Sequence, residues 1–125
     1  MATILLAVLA LYLVQLFTPA LFRFSQIGLQ RYVGSRDDLP ELPVSGQRAS
    51  RALNNLKESL FLFLPLAILA IVNGNEAEAM LGAQIFLVAR IVYAVCYLLA
   101  VPWLRSVVWI IGFVGLVMMA LPLFG

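Results

Sequence analysis

The chain contains no histidine and a single cysteine, Cys96. The first absence removes the commonest general base and metal ligand. The second excludes an intrachain disulfide. No cluster of cysteines or carboxylates takes the place of histidine, so a metal site is not expected. Charge is scarce as well: 11% of the 125 residues are Asp, Glu, Lys or Arg, and the net charge is only +2. The basic residues are not run together with interleaved aromatics, which argues against nucleic acid as a partner. The first apolar stretch lacks any Asp or Glu. That disfavours a small four-helix exporter driven through an acidic proton site in its first helix.

What the sequence does have is apolar surface, 64% of its residues, with a mean hydropathy of +1.05. Soluble domains run nearer half apolar and a quarter charged. A membrane span needs about 20 mostly apolar residues, so the chain has room for about four spans and little else. The reading is an all-α membrane protein, a single four-helix domain over residues 1–125, with helices at about 3–33, 47–72, 76–101 and 105–123. The stretch Met1 to Leu16 lacks a positive n-region and its apolar character continues to Phe22, so it is read as a retained span rather than a signal peptide.

Punctuation between the spans is sparse. Pro19 and Pro65 are expected to kink the first and second helices. The first connection, residues 34–46, holds Asp37, Asp38, Pro40, Glu41 and Pro43, with the two aspartates read as a solvated turn and Ser45 as the N-cap of helix 2. Asn73-Gly74-Asn75 closes helix 2, and Pro102 separates helices 3 and 4. Trp103 is expected at an interface. Gly112 and Gly115 are the small residues that let helices approach closely. Arg31, Arg36, Arg48 and Arg51 flank the first connection and Arg105 the third, whereas the second carries Glu76 and Glu78. The positive-inside rule then places the first and third connections in the cytoplasm.

The chemistry concentrates in helices 2 and 3. Arg51, Asn55 and Glu58 fall at i, i+4 and i+7, on one helix face, with Arg48 a turn earlier. Arg90, Tyr93 and Tyr97 fall at i, i+3 and i+7 on one face of helix 3. In antiparallel helices these two ladders oppose rung for rung: Arg51 with Tyr97, Asn55 with Tyr93, and Glu58 with Arg90. An unpaired arginine near mid-bilayer costs at least ~2.5–3.5 kcal/mol, so Glu58 is the expected partner of Arg90, from the same subunit or a neighbour. That pair serves either to hold helices together or to build a site. Arg48, Arg51 and Arg105 leave an excess of positive charge at one level. They either snorkel to lipid phosphates or bind an anionic ligand directionally; they would also lower the pKa of a nearby thiol. Tyr93 and Tyr97 read as buried aromatics or ligand contacts, and Ser106 as a helix cap or a hydrogen-bond donor to a ligand. Cys96, without a base beside it, reads as a small apolar filler.

Residues 48–58, with Arg51, Ala52, Asn55 and Glu58 matching the pattern R-A-x-x-N-x-x-E, resemble the helix 2 signature of the MAPEG family, membrane-associated proteins in eicosanoid and glutathione metabolism. Ala89, Arg90 and Tyr93, with Tyr97, resemble its helix 3 pattern, and Leu104, Arg105 and Ser106 the start of its helix 4. The resemblance covers nearly the whole chain in order. It implies a four-helix bundle assembled as a homotrimer, with glutathione as co-substrate between adjacent subunits near the cytoplasmic face. By position, Arg51, Asn55, Glu58, Arg90, Tyr93 and Tyr97 would contact the tripeptide, with Glu58 at its amino group and the arginines at its carboxylates. Arg105, with Ser106, would stabilise the thiolate. Asn54 stands where some members carry arginine, and Trp109 where some carry a ligand-contacting tyrosine. The short connections resemble a bacterial-type member, which implies an inner-membrane location. The expected activity is transfer of glutathione to a lipophilic electrophile, or reduction of a hydroperoxide. The rival is a non-catalytic member that binds a lipid or a partner protein.

Overall fold

The computed structural model describes residues 1–35, 37 and 39–124; Arg36 and Asp38, both named above in the first connection, lie outside the described residues. Four helices follow one another: α1 (Ala2–Val33), α2 (Val44–Val72), α3 (Glu76–Leu98) and α4 (Pro102–Ala120), with a terminal 3-10 turn at Leu121–Phe124. All four are long and apolar enough to cross a bilayer. At 1.5 Å per residue, α1 is about 48 Å long and α4 about 28 Å, against a hydrocarbon core of about 30 Å. The chain is thus a multi-pass integral membrane protein, and α1 overshoots the core.

The overshoot is where α1 breaks. Its helical dihedrals fail at Gly28 (φ 79°, ψ 170°), and not at Pro19, which sits inside the helix. A positive φ with extended ψ is open to glycine alone at little cost. The first connection folds back along this end of α1: the Arg23 guanidinium donates to the Pro40 carbonyl (2.5 Å) and to Gln26 Oε1 (2.8 Å), and Gln26 Nε2 donates to the Glu41 carbonyl (2.5 Å). Helix α2 then starts at Val44, three residues before the expected Gln47. The Pro43 carbonyl accepts the first helical N–H, from Gln47, and Ser45 lies inside the helix instead of capping it.

Helices α2 and α3 end in the same way. Gly74 (φ 74°) and Ala100 (φ 57°) occupy the left-handed position just past each helix. Behind them Asn75 N–H bonds the Ala70 carbonyl and Gly74 N–H that of Ile71; Val101 N–H bonds Cys96 and Ala100 N–H bonds Tyr97. Both are Schellman closures. The second stops α3 at Leu98, short of the expected residue 101, and lets α4 begin at Pro102, where a missing N–H costs nothing.

Leu56, Leu60, Phe63, Ala67 and Ala70 of α2 pack with Ala79, Ala83 and Phe86 of α3, Leu116 and Met119 of α4, and Val8 of α1. At its centre the Phe63 and Phe86 rings stack at 4.5 Å, within 11° of parallel. Helices α3 and α4 touch through backbone. A Cβ added at Gly115 would lie 2.7 Å from the Gly82 carbonyl oxygen, and one at Gly82 would lie 2.6 Å from that of Gly115. At Gly112 an added Cβ would meet the Ala89 Cβ at 3.4 Å and the Arg90 Cδ at 3.9 Å, both ordinary contacts.

Two outcomes follow for thermal unfolding in detergent. Gly115→Ala must push the helices apart and costs about 1–3 kcal/mol, whereas Gly112→Ala is neutral or stabilising by up to about 1 kcal/mol through helix propensity. Equal destabilisation by both would remove the Gly82–Gly115 contact as the cause. Ala100→Gly relieves the left-handed strain and raises stability by about 0.5–1 kcal/mol, the steric gain net of glycine entropy; a loss of stability would contradict the α3 closure.

Candidate functional site

Three helices place their polar side chains together at the end of the bundle formed by the start of α2, the end of α3 and the start of α4. The Arg51 Nε–H of α2 donates to the Tyr97 hydroxyl of α3 at 3.1 Å. Its guanidinium carbon lies 5.8 Å from the Tyr97 ring centre, and that of Arg105, from α4, lies 4.8 Å from the same ring. Tyr97 therefore joins two cations on two different helices. Its own ring tilts against Tyr93, with centres 5.7 Å apart. Tyr93 in turn carries the Arg90 guanidinium over its face at 4.3 Å. Arg90 Nη1–H donates to Asn55 Oδ1 at 2.8 Å, closing the path back to α2. Each cation–ring contact is worth about 0.5–2 kcal/mol, the upper end applying where water is excluded.

The first rung of the sequence ladder, Arg51 with Tyr97, forms as expected. Within one chain the deepest does not. Arg90 and Glu58 line the same cleft, but among the described residues no ion pair joins them. The Tyr93 face and the Asn55 amide hold the guanidinium one rung nearer the bundle end, while the Glu58 side chain is exposed. Arg90 is only 3% exposed, and its Nε and Nη2 are buried with no hydrogen-bond partner. A buried charged donor without a partner costs at least about 1–3 kcal/mol.

Arg90 borders a cleft of about 190 Å³. Asn55, Glu58 and Arg90 form its polar end, and Leu62, Phe86 and Leu116 its apolar end. One wall is a pair of aromatic rings that the sequence reading did not assemble, Trp109 and Phe113 of α4, stacked within 8° of parallel at 5.8 Å. Their i, i+4 spacing was the available signal. Ser106 stands apart. Its hydroxyl is exposed and donates to the Pro102 carbonyl at 3.2 Å, so it neither caps α4 nor faces the cleft. Cys96 is a buried free thiol. Among the described residues no group of three or more His, Cys, Asp or Glu comes together.

The arrangement offers positive charge to an anion, with one acidic group beside it. Three guanidiniums surround two phenol rings, and the single carboxylate on the same helix faces leaves them in excess. Arginine forks bind carboxylates in a partly dry site more strongly and directionally than a point charge does. The exposed carboxylate of Glu58 suits an ammonium.

No curated protein and no solved structure matches the chain. The family comparison does give a match, and it runs from residue 1 to residue 125. Its match over the full length, with the polar ladder on the helices where the motifs predicted it, makes this chain a member of the MAPEG family, and so a membrane protein of the kind associated with eicosanoid and glutathione metabolism.

Proposed function

We propose that the chain is a glutathione-dependent transferase or peroxidase whose acceptor is a lipophilic electrophile or hydroperoxide drawn from the bilayer. The observation that carries this reading is the pair of buried, unpartnered N–H groups of Arg90 beside the Glu58 carboxylate at one cleft. A zwitterionic peptide with two carboxylates fits that pattern: Arg51 and Arg90 take carboxylates, Glu58 takes the ammonium, and Asn55, Tyr93 and Tyr97 orient the backbone. Bound glutathione supplies a thiol whose anion is the nucleophile. Arg105, held on the Tyr97 ring and otherwise free of an anion, favours the anionic form through its positive charge. This role requires no histidine. Since Ser106 bonds its own helix, Arg105 is the residue assigned to thiolate stabilisation, with Ser106 at most secondary.

The apolar end of the cleft supports a lipophilic acceptor, because Leu62, Phe86 and Leu116 present only hydrocarbon to it. The exposure of Arg51 and Glu58 in a single chain supports a homotrimer with sites between subunits, since charged side chains facing lipid are costly and a neighbouring subunit would cover them. The arginines at the first and third connections support a cytoplasmic setting for the site. For a bacterial-type member that means the inner membrane.

Calorimetric titration of the detergent-purified protein with glutathione tests the reading. Wild type binds, and Arg51→Ala, checked to be folded, binds about 10- to 100-fold more weakly, the equivalent of a charged hydrogen bond of about 1.5–3 kcal/mol. Absence of binding to folded wild type would sink the transferase reading. Arg105→Ala separates catalysis from binding: affinity is retained, while turnover of an electrophile falls and its rate profile moves to higher pH. Wild type that binds glutathione but turns over neither electrophiles nor hydroperoxides would instead be a non-catalytic member.

A further inference from the structure

A second group in the bundle is buried without a partner, and it lies away from the cleft just described. Gln15 of α1 is 9% exposed, and its Oε1 is buried with no hydrogen-bond donor. It borders a groove of about 220 Å³ between α1, α2 and α3. Leu11 and Val14 of α1, Ala49 and Ala52 of α2, and Ile91 and Ala94 of α3 shape it. None of its lining residues belongs to the Arg90 cleft, and Ala49 is half a turn round α2 from Glu58.

The chemistry of the groove is narrow. No charged side chain lines it, so neither an anionic nor a cationic headgroup has a counter-charge there. Thr18, its other polar residue, already donates its hydroxyl proton to the Val14 carbonyl at 2.6 Å and has none left for Gln15. The small side chains of Ala49, Ala52 and Ala94 leave the space open. The groove also has a definite depth. Gln15 precedes Arg23 by eight residues, about 12 Å along α1, and faces the α2 turn that carries Arg48 and Arg51. The lone acceptor thus lies at the level of the α2 arginines, with the apolar walls of Leu11 and Ile91 continuing inward. A lipid needs this order of groups when its polar end carries one donor and its chain enters the core.

We propose that this groove binds a neutral long-chain lipid through a single hydroxyl, whose proton is donated to Gln15 Oε1. The chain lies against Leu11, Val14 and Ile91. The hydroxyl supplies the hydrogen bond that no described residue gives to this buried oxygen.

Oleyl alcohol and oleyl methyl ether make the test, since they differ in the one donor. Both are titrated into the full chain in detergent, with affinity read from thermal stabilisation. Wild type binds the alcohol about five- to tenfold more tightly than the ether, the discrimination expected for one net hydrogen bond. Gln15→Met, of similar volume and without the acceptor, folds, binds both alike, and leaves glutathione affinity unchanged. Ala94→Leu, which narrows the groove from α3, weakens both lipids. Equal affinity of wild type for alcohol and ether overturns the proposal, as does a preference that survives in Gln15→Met. A disulfide formed between two copies of a Val14→Cys variant in membranes also overturns it, by making a second subunit the occupant.

Discussion

A guanidinium buried inside a membrane bundle is the constraint on which the rest of this structure turns. Arg90 gives up its water and recovers one hydrogen bond, from Asn55, and one aromatic face, from Tyr93. Neither partner is an anion. A buried charge held only by neutral groups keeps its attraction for negative charge, and its two unpaired donors give that attraction a direction. The positions of Asn55, Tyr93 and the cleft-lining α4 residues follow from this one group. They surround it closely enough to leave it only 3% exposed, at the edge of the cleft it lines.

The same logic links the site to the packing below it. Gly82 and Gly115 bring α3 and α4 to backbone contact, and Gly112, one turn nearer the site, has its Cα side against Ala89 and the Arg90 stem. Close approach of these helices allows Arg105 on α4 to reach the Tyr97 ring of α3. The stacked Phe63 and Phe86 rings fix α2 against α3 beneath the polar rungs. Helix termini set the final register: the left-handed Ala100 ends α3 just past Tyr97, so α4 turns back with Arg105 within one side-chain length of the residue that ends the ladder.

Among the described residues two polar side chains, Arg90 and Gln15, are buried with unsatisfied atoms on different sides of the bundle, one cationic and one neutral. In water, either would find solvent. In hydrocarbon the first is complementary to an anion and the second to a hydroxyl, the ligands proposed above. A family associated with glutathione and lipid mediators has use for both a polar co-substrate and molecules that travel in the bilayer.

Hydrophobic run length and helical spacing were legible without coordinates, because both are local. The four spans, the single faces carrying Arg51, Asn55 and Glu58 or Arg90, Tyr93 and Tyr97, and the Arg51–Tyr97 rung all follow from 3.6 residues per turn and the cost of charge in lipid. The Arg90–Glu58 pair within one chain did not follow. Which of two partners a long side chain reaches depends on rotamer and on the aromatic face beneath it, and the tertiary structure decided for Asn55 and Tyr93. The break at Gly28, the closure at Ala100, the role of Gly82 and the stranded Gln15 were equally hidden. Each arises where segments distant in sequence, or a backbone closing on itself, compete with local propensity. The sequence by itself determined which residues lie on one face and how deep they sit; only packing among α1, α2, α3 and α4 decided which of them would be left without a partner.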